Sequence, residues 1–246
     1  MKQEYAANYR MLFERHWWWR TRERFLLKRI PKFCPEGGFG SILDIGCGDG
    51  LFFASLAQFG DPEGIEIDKS IVSHELTESG RIYIGSLDES FDRGQRYGLI
   101  LLLDVLEHLP NPKQTMATAR SLLEPGGRII VTVPAFRLLW TSHDDFNQHL
   151  TRYRMEELRE LAEEVGLVTL TADYFFVGLA PLKLIVRCLE SIGRSTQKPT
   201  SLPPTWLNTL MLGLCTLEDM VLGRLSPPFG SSIFAVFSDP GVDSHG

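Results

Sequence analysis

The chain has 246 residues, which is long enough for one well-packed domain with insertions or for two small domains. Its content of 43% hydrophobic and 23% charged residues excludes a chain that is disordered throughout. The net charge of −6 hides a basic start, because residues 1–40 hold nine Lys/Arg against four Glu and the rest is acidic.

The basic start is expected to dock on the acidic remainder of the same chain, although an anionic ligand or a membrane surface would also suit it. The acidic main part disfavours a nucleic-acid partner, which normally requires a basic footprint. The four cysteines are widely scattered, which predicts reduced thiols and no structural zinc site. With no signal-peptide pattern at "MKQEYAANYR" and no long apolar run, a cytoplasmic protein is predicted.

The stretch "FERHWWWRTRERFLLKRI", residues 13–30, is predicted to be helical. A helix turns by about 100° per residue, so Trp17, Trp18 and Trp19 must face different surroundings. One stripe is apolar and predicted to face the core, whereas its neighbour is both aromatic and cationic. The first contains Leu12, Trp19, Leu26 and Ile30, and the second contains Phe13, Trp17, Arg20, Arg24 and Leu27.

From residue 41 onward, apolar strands alternate with helices. Strands are predicted at 41–45, 63–67, 81–85, 97–103 and 127–133, and helices at 51–59, 70–77 and in the segment before residue 127. Strands that are apolar throughout indicate a parallel sheet covered on both faces. The pattern predicts a doubly wound α/β domain whose ligands bind at the carboxyl ends of the strands.

The second half of the chain is less regular. A polar loop is predicted at 142–153, a helix at 154–166, and two further strands at 167–176 and 231–238. Between these strands lies an insertion, residues 177–229, with apolar helical stretches near 178–193 and 205–225. It is expected to cap a lipophilic substrate or form a homodimer contact, with peripheral contact to a membrane surface as the other possibility.

The most informative motif is "ILDIGCGDG", residues 42–50, in which a strand and an acid precede a glycine turn. Gly46 and Gly48 let the backbone approach a ligand closely. Asp44 and Asp49 would repel a pyrophosphate but suit a ligand that carries an ammonium group. The charges therefore disfavour a dinucleotide and favour a sulfonium compound that bears an amino acid.

This motif resembles motif I of the class I S-adenosylmethionine-dependent methyltransferases, and within them the ubiquinone-biosynthesis O-methyltransferase type of small-molecule enzyme. The resemblance implies a Rossmann-like sheet of seven strands, mostly parallel, with the last strand antiparallel. It implies S-adenosylmethionine as cofactor, held by Asp44, Gly46 and Gly48. "GIEID" resembles the segment whose acid, Glu66, binds the ribose hydroxyls, and "LLLDVLEHLPNP" the motif that places Asp104 beside the methionine part.

Two further cofactor contacts follow from the same resemblance. The family usually has an acid after the glycine of "GSLDESF", where this chain has Ser86, so the adenine contact is expected from the backbone of Ser86 and Leu87 or from Asp88. Related enzymes lay an N-terminal helix across the cofactor cleft, so residues 1–40 are predicted to form a helical lid over a domain spanning 41–246. An arginine of that helix meets the cofactor carboxylate, for which Arg24 fits best by distance along the chain, with Arg20 one turn earlier.

The methyl acceptor is predicted to be a small molecule, most readily through oxygen. A hydroxyl acceptor needs a base, and the loop after the fifth strand offers candidates: His143, Asp144, Asp145, His149, Arg152 and Tyr153. His149 is the predicted base, although it would equally serve to anchor the loop. No metal is expected, the minority alternative being an ion held by Asp104, Glu107 and His108 at helical spacing.

Three other functions remain compatible with the sequence. The first is methylation of a protein or an RNA, and the second is a protein that binds the cofactor without turnover. An NAD-dependent dehydrogenase is the third.

Overall fold

A computed structural model describes residues 2–88, 91, 93–194, 200–223 and 225–240. Seven strands form one sheet in the order β3-β2-β1-β4-β5-β7-β6. Their bounds are Ser41–Ile45 (β1), Asp61–Glu66 (β2), Ile82–Ile84 (β3), Tyr97–Leu103 (β4), Leu123–Pro134 (β5), Val168–Phe175 (β6) and Ser232–Ser238 (β7). Strand β7 runs antiparallel to both β5 and β6, and the other pairs are parallel. The predicted fold class is confirmed.

Helices and short turns connect these strands. The α-helices are Lys2–Arg15 (α1), Trp17–Arg29 (α2), Phe53–Leu56 (α3), His74–Glu78 (α4), Pro112–Ser121 (α5), Ser142–Phe146 (α6), Met155–Glu164 (α7), Leu179–Leu189 (α8) and Thr205–Leu222 (α9). The structure also contains 3-10 turns at Ile30–Phe33, Leu106–His108 and Arg137–Leu139, and a π-helical turn at Glu190–Arg194.

Both faces of the sheet are buried because successive side chains of a strand point to opposite sides. In β4, Leu99 and Leu101 belong to one apolar cluster and Ile100 and Leu102 to the other. Helix α2 covers the first side with Phe25 and Leu26, and the 3-10 turn after it adds Ile30, while α5 and α7 cover the second side. This explains why β4 reads as an unbroken apolar run.

Three local predictions were wrong. The helix expected over 51–59 is only α3, a single turn, preceded by turns. The loop expected over 142–153 contains α6, which is closed at its start by a capping box between Thr141 and Asp144. The helix expected over 13–30 is interrupted at His16, whose side chain caps α2 by accepting from the Trp18 N–H.

Among the residues that the structure describes, no helix is both long enough and apolar enough to cross a membrane.

Candidate functional site

The glycine corner lies where β1 ends, at the carboxyl edge of the sheet. Gly46 and Gly48 have φ angles of +72° and +58°, which favour glycine. A Cβ on Gly46 would come within 2.8 Å of Val105 Cγ2, so a larger residue would push the corner away from the end of β4. Gly46 is therefore needed for the close packing of the corner against Val105.

Glu66, at the end of β2, shapes that corner from the neighbouring strand. It is buried, and its Oε2 accepts the Gly48 N–H at 2.9 Å while its Oε1 accepts the Asp68 N–H at 2.9 Å. Each carboxylate oxygen can accept a second hydrogen bond. The carboxylate can thus hold the loop and bind two hydroxyl groups at the same time.

Asp44 lies in β1, just before the glycine corner, and is buried. Burial raises the pKa of Asp44 to about 7, with Arg22 opposing the shift and Glu66 adding to it. A cationic group bound at this corner would stabilise the ionised form of Asp44. The site is therefore electrostatically suited to the ammonium group that the sequence predicts.

Asp104 follows β4 and adopts the uncommon φ of +59°. Its Oδ2 forms an ion pair with Arg22 Nη2 at 2.6 Å, and its Oδ1 accepts from Thr132 Oγ1 at 3.3 Å. Arg22 Nε is buried and has no hydrogen-bond partner within the described residues. An arginine with a donor to spare thus stands at the edge of the cleft.

The rotation of α2 explains why this arginine is Arg22. Thr21, Phe25 and Leu26 are the buried side chains of α2, and Arg22 lies between them in helical projection. Arg24 lies outside that arc and is exposed. The assignment of the cofactor carboxylate to Arg24 stays a prediction, but this geometry favours Arg22, and Arg20 lies on the same outer side as Arg24.

Helix α1 contributes two contacts to the glycine corner that the sequence did not indicate. The Tyr9 ring lies 3.5 Å from the position that a Cβ would occupy on Gly48. Arg10 Nη2 lies 2.6 Å from Asp49 Oδ2. The N-terminal helices therefore reach over the corner from the solvent side.

The tryptophans join α1 to α2. The Trp19 ring packs edge-on against Tyr9, at 6.2 Å between centroids, and against Trp18, at 5.0 Å. The Trp18 ring lies 5.4 Å from the Arg22 guanidinium, in cation–π geometry. Trp19 is only half-buried, so the prediction that it lies on the core-facing stripe is wrong, whereas Leu26 is buried as expected.

Ser86 and Leu87 follow β3 at the same edge of the sheet as Glu66. Ser86 is exposed and its Oγ donates to Asp88 Oδ2 at 3.0 Å, while Leu87 packs against one apolar cluster. Their contact with adenine stays a prediction.

A buried charged network occupies the loop after β5. Arg152 donates from Nε to Asp144 Oδ1 at 2.8 Å and from Nη2 to Oδ2 at 3.0 Å. His149 Nδ1 lies 2.8 Å from Asp144 Oδ1, and the Thr141 N–H donates to Oδ2. Burial opposes ionisation of Asp144, but the hydrogen bonds from His149 and Arg152 outweigh it and hold its pKa below the usual range.

This network fixes which nitrogen of His149 carries the proton. Because the ionised Asp144 can only accept hydrogen bonds, Nδ1 of a neutral His149 is the protonated nitrogen. Its Nε2 then keeps a lone pair that can accept a proton. The His149 ring lies 4.7 Å, between centroids, from the ring of His108. His108 belongs to the 3-10 turn that follows Asp104.

The other loop candidates are engaged elsewhere. His143 is exposed and its Nε2 bonds with Asn147 Nδ2, and Asp145 accepts from Trp140 Nε1 at 2.9 Å. Tyr153 donates from its hydroxyl to the Leu106 carbonyl at 3.2 Å, and burial raises its pKa.

A group that could hold a divalent ion differs from the minority alternative of Asp104, Glu107 and His108. Ligand atoms of Glu107, His108 and His149 lie within 4.8 Å of one another. Glu107 is buried, its Oε2 has no hydrogen-bond partner within the described residues, and burial raises its pKa. Asp104 faces Arg22 and is not in this group, because the segment forms a 3-10 turn rather than the α-helix that the spacing suggested.

Lys183, on α8, approaches the same region from the insertion. It shares a helix face with Arg187, which donates to the carbonyls of Arg137 and Leu138, and with Glu190. Burial lowers the pKa of Lys183 to about 8, and Arg152 lowers it further while Asp144 and Asp104 oppose the shift. In the sequence, the only indication that Lys183 faces the domain is its four-residue spacing from Arg187 in "LKLIVR".

Comparison with known proteins is consistent with this geometry. Residues 18–172, more than half of the chain, match the model of a methyltransferase domain. A ubiquinone biosynthesis O-methyltransferase from Saccharophagus degradans is 34% identical over 96 residues, which are 36% of this chain and 41% of that protein. A protein of the same name from Coxiella burnetii is 27% identical over 165 residues, 58% of this chain and 68% of that protein.

Among solved structures, an Archaeoglobus fulgidus SAM-dependent methyltransferase has a TM-score of 0.55 at 15% identity, covering 87% of this chain and 91% of that chain. At that identity the similarity supports the fold alone.

Proposed function

Because the chain belongs to the methyltransferase domain family, we propose that it transfers a methyl group to an oxygen atom of a small-molecule acceptor. The protein is an S-adenosylmethionine-dependent methyltransferase, and this cofactor supplies an electrophilic methyl group on a sulfonium. The finer proposal concerns the acceptor. It is supported by the names of the Saccharophagus and Coxiella relatives and by the His149–Asp144 pair.

The residues at the glycine corner fit the donor. Glu66 offers two buried oxygens to the ribose hydroxyls, and Gly46 and Gly48 leave the backbone open. Asp44 suits the ammonium group, and Arg22, with Nε unpartnered within the described residues, suits the carboxylate. Each end of the amino-acid part of the donor is thus matched by an opposite charge.

Replacing Glu66 by alanine should weaken binding of S-adenosylhomocysteine by roughly 30-fold, about 2 kcal/mol, because two hydrogen bonds to a charged acceptor are lost. Titration calorimetry measures the change. Glu75→Ala, an exposed glutamate on α4, is the matched control and should leave the affinity unchanged. Unchanged affinity in Glu66→Ala would exclude Glu66 as the ribose ligand.

Arg22 and Arg24 make opposite predictions for the donor carboxylate. Arg22→Met should weaken donor binding by about tenfold, because it removes the ion pair to the carboxylate and leaves Asp104 without its cation. Arg24→Met should change the affinity less than about twofold, since an exposed charge is screened by water. If Arg24→Met gives the larger loss, the sequence-based assignment holds instead.

The proposal of an oxygen acceptor rests on one observation, the hydrogen bond between His149 Nδ1 and the buried Asp144. Methyl transfer from a sulfonium is an in-line displacement, for which alignment and exclusion of water supply much of the rate. A hydroxyl acceptor must also lose its proton. His149 Nε2 accepts that proton, and Asp144 orients the ring and stabilises the imidazolium that forms.

Lys183 supports an acidic hydroxyl, such as a phenol, as the acceptor. Its ammonium group interacts electrostatically with Asp104, Asp144 and Arg152. A cation here stabilises the negative charge that develops on an acceptor oxygen as His149 removes its proton.

The N-terminal helices serve as the lid of this site. Tyr9 covers Gly48, and Arg10 and Arg22 tie α1 and α2 to Asp49 and Asp104. Two ion pairs on the rim of the cleft can open and reform as the donor enters and leaves.

The direct test uses a methyl-labelled donor and a mixture of phenols, catechols and phenolic acids, with protein and RNA fractions in parallel. We expect release of S-adenosylhomocysteine and label in the small-molecule fraction, with the methyl on oxygen by NMR. Label confined to protein or RNA would overturn the proposal, as would label on nitrogen or carbon of the small molecule. The absence of turnover with every acceptor would also contradict it.

A further inference from the structure

Helix α8 is held against the loop after β5, which forms the acceptor side of the proposed site. Arg187 Nη1 donates to two carbonyls of the 3-10 turn Arg137–Leu139, at 3.0 and 2.9 Å. Glu190 accepts from the Ser142 N–H at 3.0 Å and from the Ser142 hydroxyl at 2.5 Å. These contacts fix the rotation of α8. Lys183, one turn before Arg187, therefore lies on the side of the helix that meets the domain.

The ammonium group of Lys183 has no partner of its own. The side chain is half-buried and forms no hydrogen bond or ion pair with any residue that the structure describes. Burial lowers its pKa to about 8, and its charge interacts with Asp104, Asp144 and Arg152. An ammonium group has three N–H donors, and leaving them unmatched away from water costs free energy. A ligand that accepts from these donors would remove that cost.

The two carboxylates whose charges interact with Lys183 are already paired with arginines. Both oxygens of Asp144 accept from Arg152, at 2.8 and 3.0 Å. Asp104 forms its ion pair with Arg22 at 2.6 Å. Because each carboxylate has an arginine of its own, Lys183 is a surplus positive charge on this side of the cleft.

Glu107, whose charge would also interact with Asp104 and Arg152, does not neutralise this surplus. Its side chain is buried, and burial raises its pKa, which favours the uncharged carboxyl group. A surplus of one positive charge suits one carboxylate on a ligand. It suits a phosphate group less well, because a phosphate carries about two negative charges.

We propose that Lys183 binds a carboxylate group of the methyl acceptor, so that the acceptor is a phenolic acid. This inference rests on the proposed function, because it assigns the acceptor of that same site. His149 bonds to Asp144, one of the carboxylates that interact with Lys183. A molecule that carries both a hydroxyl and a carboxylate can therefore meet the base and the cation together. The carboxylate anchors the molecule and orients its hydroxyl for in-line displacement.

Matched pairs of acceptors test this inference: hydroxybenzoic and hydroxycinnamic acids, each with its uncharged primary amide. Both members of a pair present the same hydroxyl to His149, and only the acid carries a permanent negative charge. We expect the wild type to favour the acid by about tenfold or more in kcat/KM, because the acid gains a charge-assisted hydrogen bond. Lys183→Met should reduce this preference to about twofold or less, mainly by raising KM for the acid, whereas Lys183→Arg should retain most of it.

The ratio of kcat/KM within a pair separates two roles of Lys183. If Lys183 only stabilises charge on the reacting oxygen, Lys183→Met lowers kcat for acid and amide alike and leaves their ratio unchanged. If it binds the carboxylate, the ratio itself falls. The matched control is Lys113→Met, which removes an exposed lysine of α5 that pairs with Glu164 at 2.9 Å and should leave the ratio unchanged.

Binding measured without turnover keeps this result distinct from a failure of the proposed function. Titration calorimetry with S-adenosylhomocysteine present should show the acids binding about tenfold or more tightly than the amides. Binding of S-adenosylhomocysteine itself reports that each variant is folded. A preference for acids that disappears in Lys183→Met supports the inference even if no methyl group reaches an oxygen. Equal binding of acids and amides by the wild type would refute it, as would a preference that survives in Lys183→Met or the failure of every acid to bind.

Discussion

Replacing Asp144 by alanine should lower the free energy of unfolding by about 3–5 kcal/mol, the largest stability loss that we expect from a single change in this chain. Asp144 is fully buried, and both of its oxygens accept from Arg152. Without it, the guanidinium stays buried, with the Ala135 carbonyl as its other acceptor. An uncompensated buried charge is much more costly than the loss of a surface ion pair.

Urea unfolding followed by fluorescence measures this loss. The matched control is Asp145→Ala, because Asp145 is the exposed neighbour and bonds only to Trp140 among the interactions described. Its expected effect is below about 1 kcal/mol. Similar losses in the two variants would show that the network around Asp144 is not a main source of stability.

The pH dependence of Asp144 carries a definite sign. Its pKa is held below the usual range by His149 and Arg152, so its contribution is present above roughly pH 4 and is lost as the pH falls below that value. The difference in stability between the wild type and Asp144→Asn should therefore shrink on acidification.

The contribution of Asp44 to stability changes with pH in the opposite direction, because its raised pKa makes stability fall as the pH rises toward 7.

Replacing His149 by glutamine should lower kcat by about 10²- to 10⁴-fold while donor affinity changes little, because the base acts only on the acceptor. Glutamine retains a donor for Asp144 but has no basic nitrogen. The kinetics of S-adenosylhomocysteine release and a separate donor titration give the two values. His74→Gln is the matched control, since that exposed histidine on α4 pairs with Glu78 and should leave kcat unchanged.

Two results would contradict the role of His149 as base. A variant that keeps its kcat would show that His149 only anchors the loop through Asp144. Loss of wild-type activity in a chelator, restored by a divalent ion and lost again in Glu107→Gln, would make His149 a metal ligand.

The sequence alone was sufficient for the sheet and for the residues that meet at the glycine corner. Apolar runs such as "YGLILLL" coincide with β4, and "SILDI" with β1, because a strand buried on both faces has a distinctive composition. Asp44, Gly46, Gly48 and Glu66 meet at one corner because consecutive parallel strands bring their carboxyl ends together. Short-range pattern and strand topology determine these features.

The rotation of helices needed the tertiary structure. Arg22 and Arg24 belong to the same "RTRER" run, and only the burial of Phe25 and Leu26 decides which arginine meets Asp104. The interruption of the N-terminal helix at His16 also needed the structure, which shows the His16 side chain capping α2.

The insertion shows most plainly what the sequence alone did not determine. Periodicity predicts that 205–225 is helical, and α9 spans Thr205–Leu222. The same periodicity suggests that the apolar stripe faces the core, whereas the structure turns Asn208 and Glu218 inward and Leu214 outward. A sequence pattern can show that a segment is helical. Which face of the helix is buried depends on the free energy of all the contacts that each face could make with the rest of the protein. For α9, the tertiary contacts determined which face is buried.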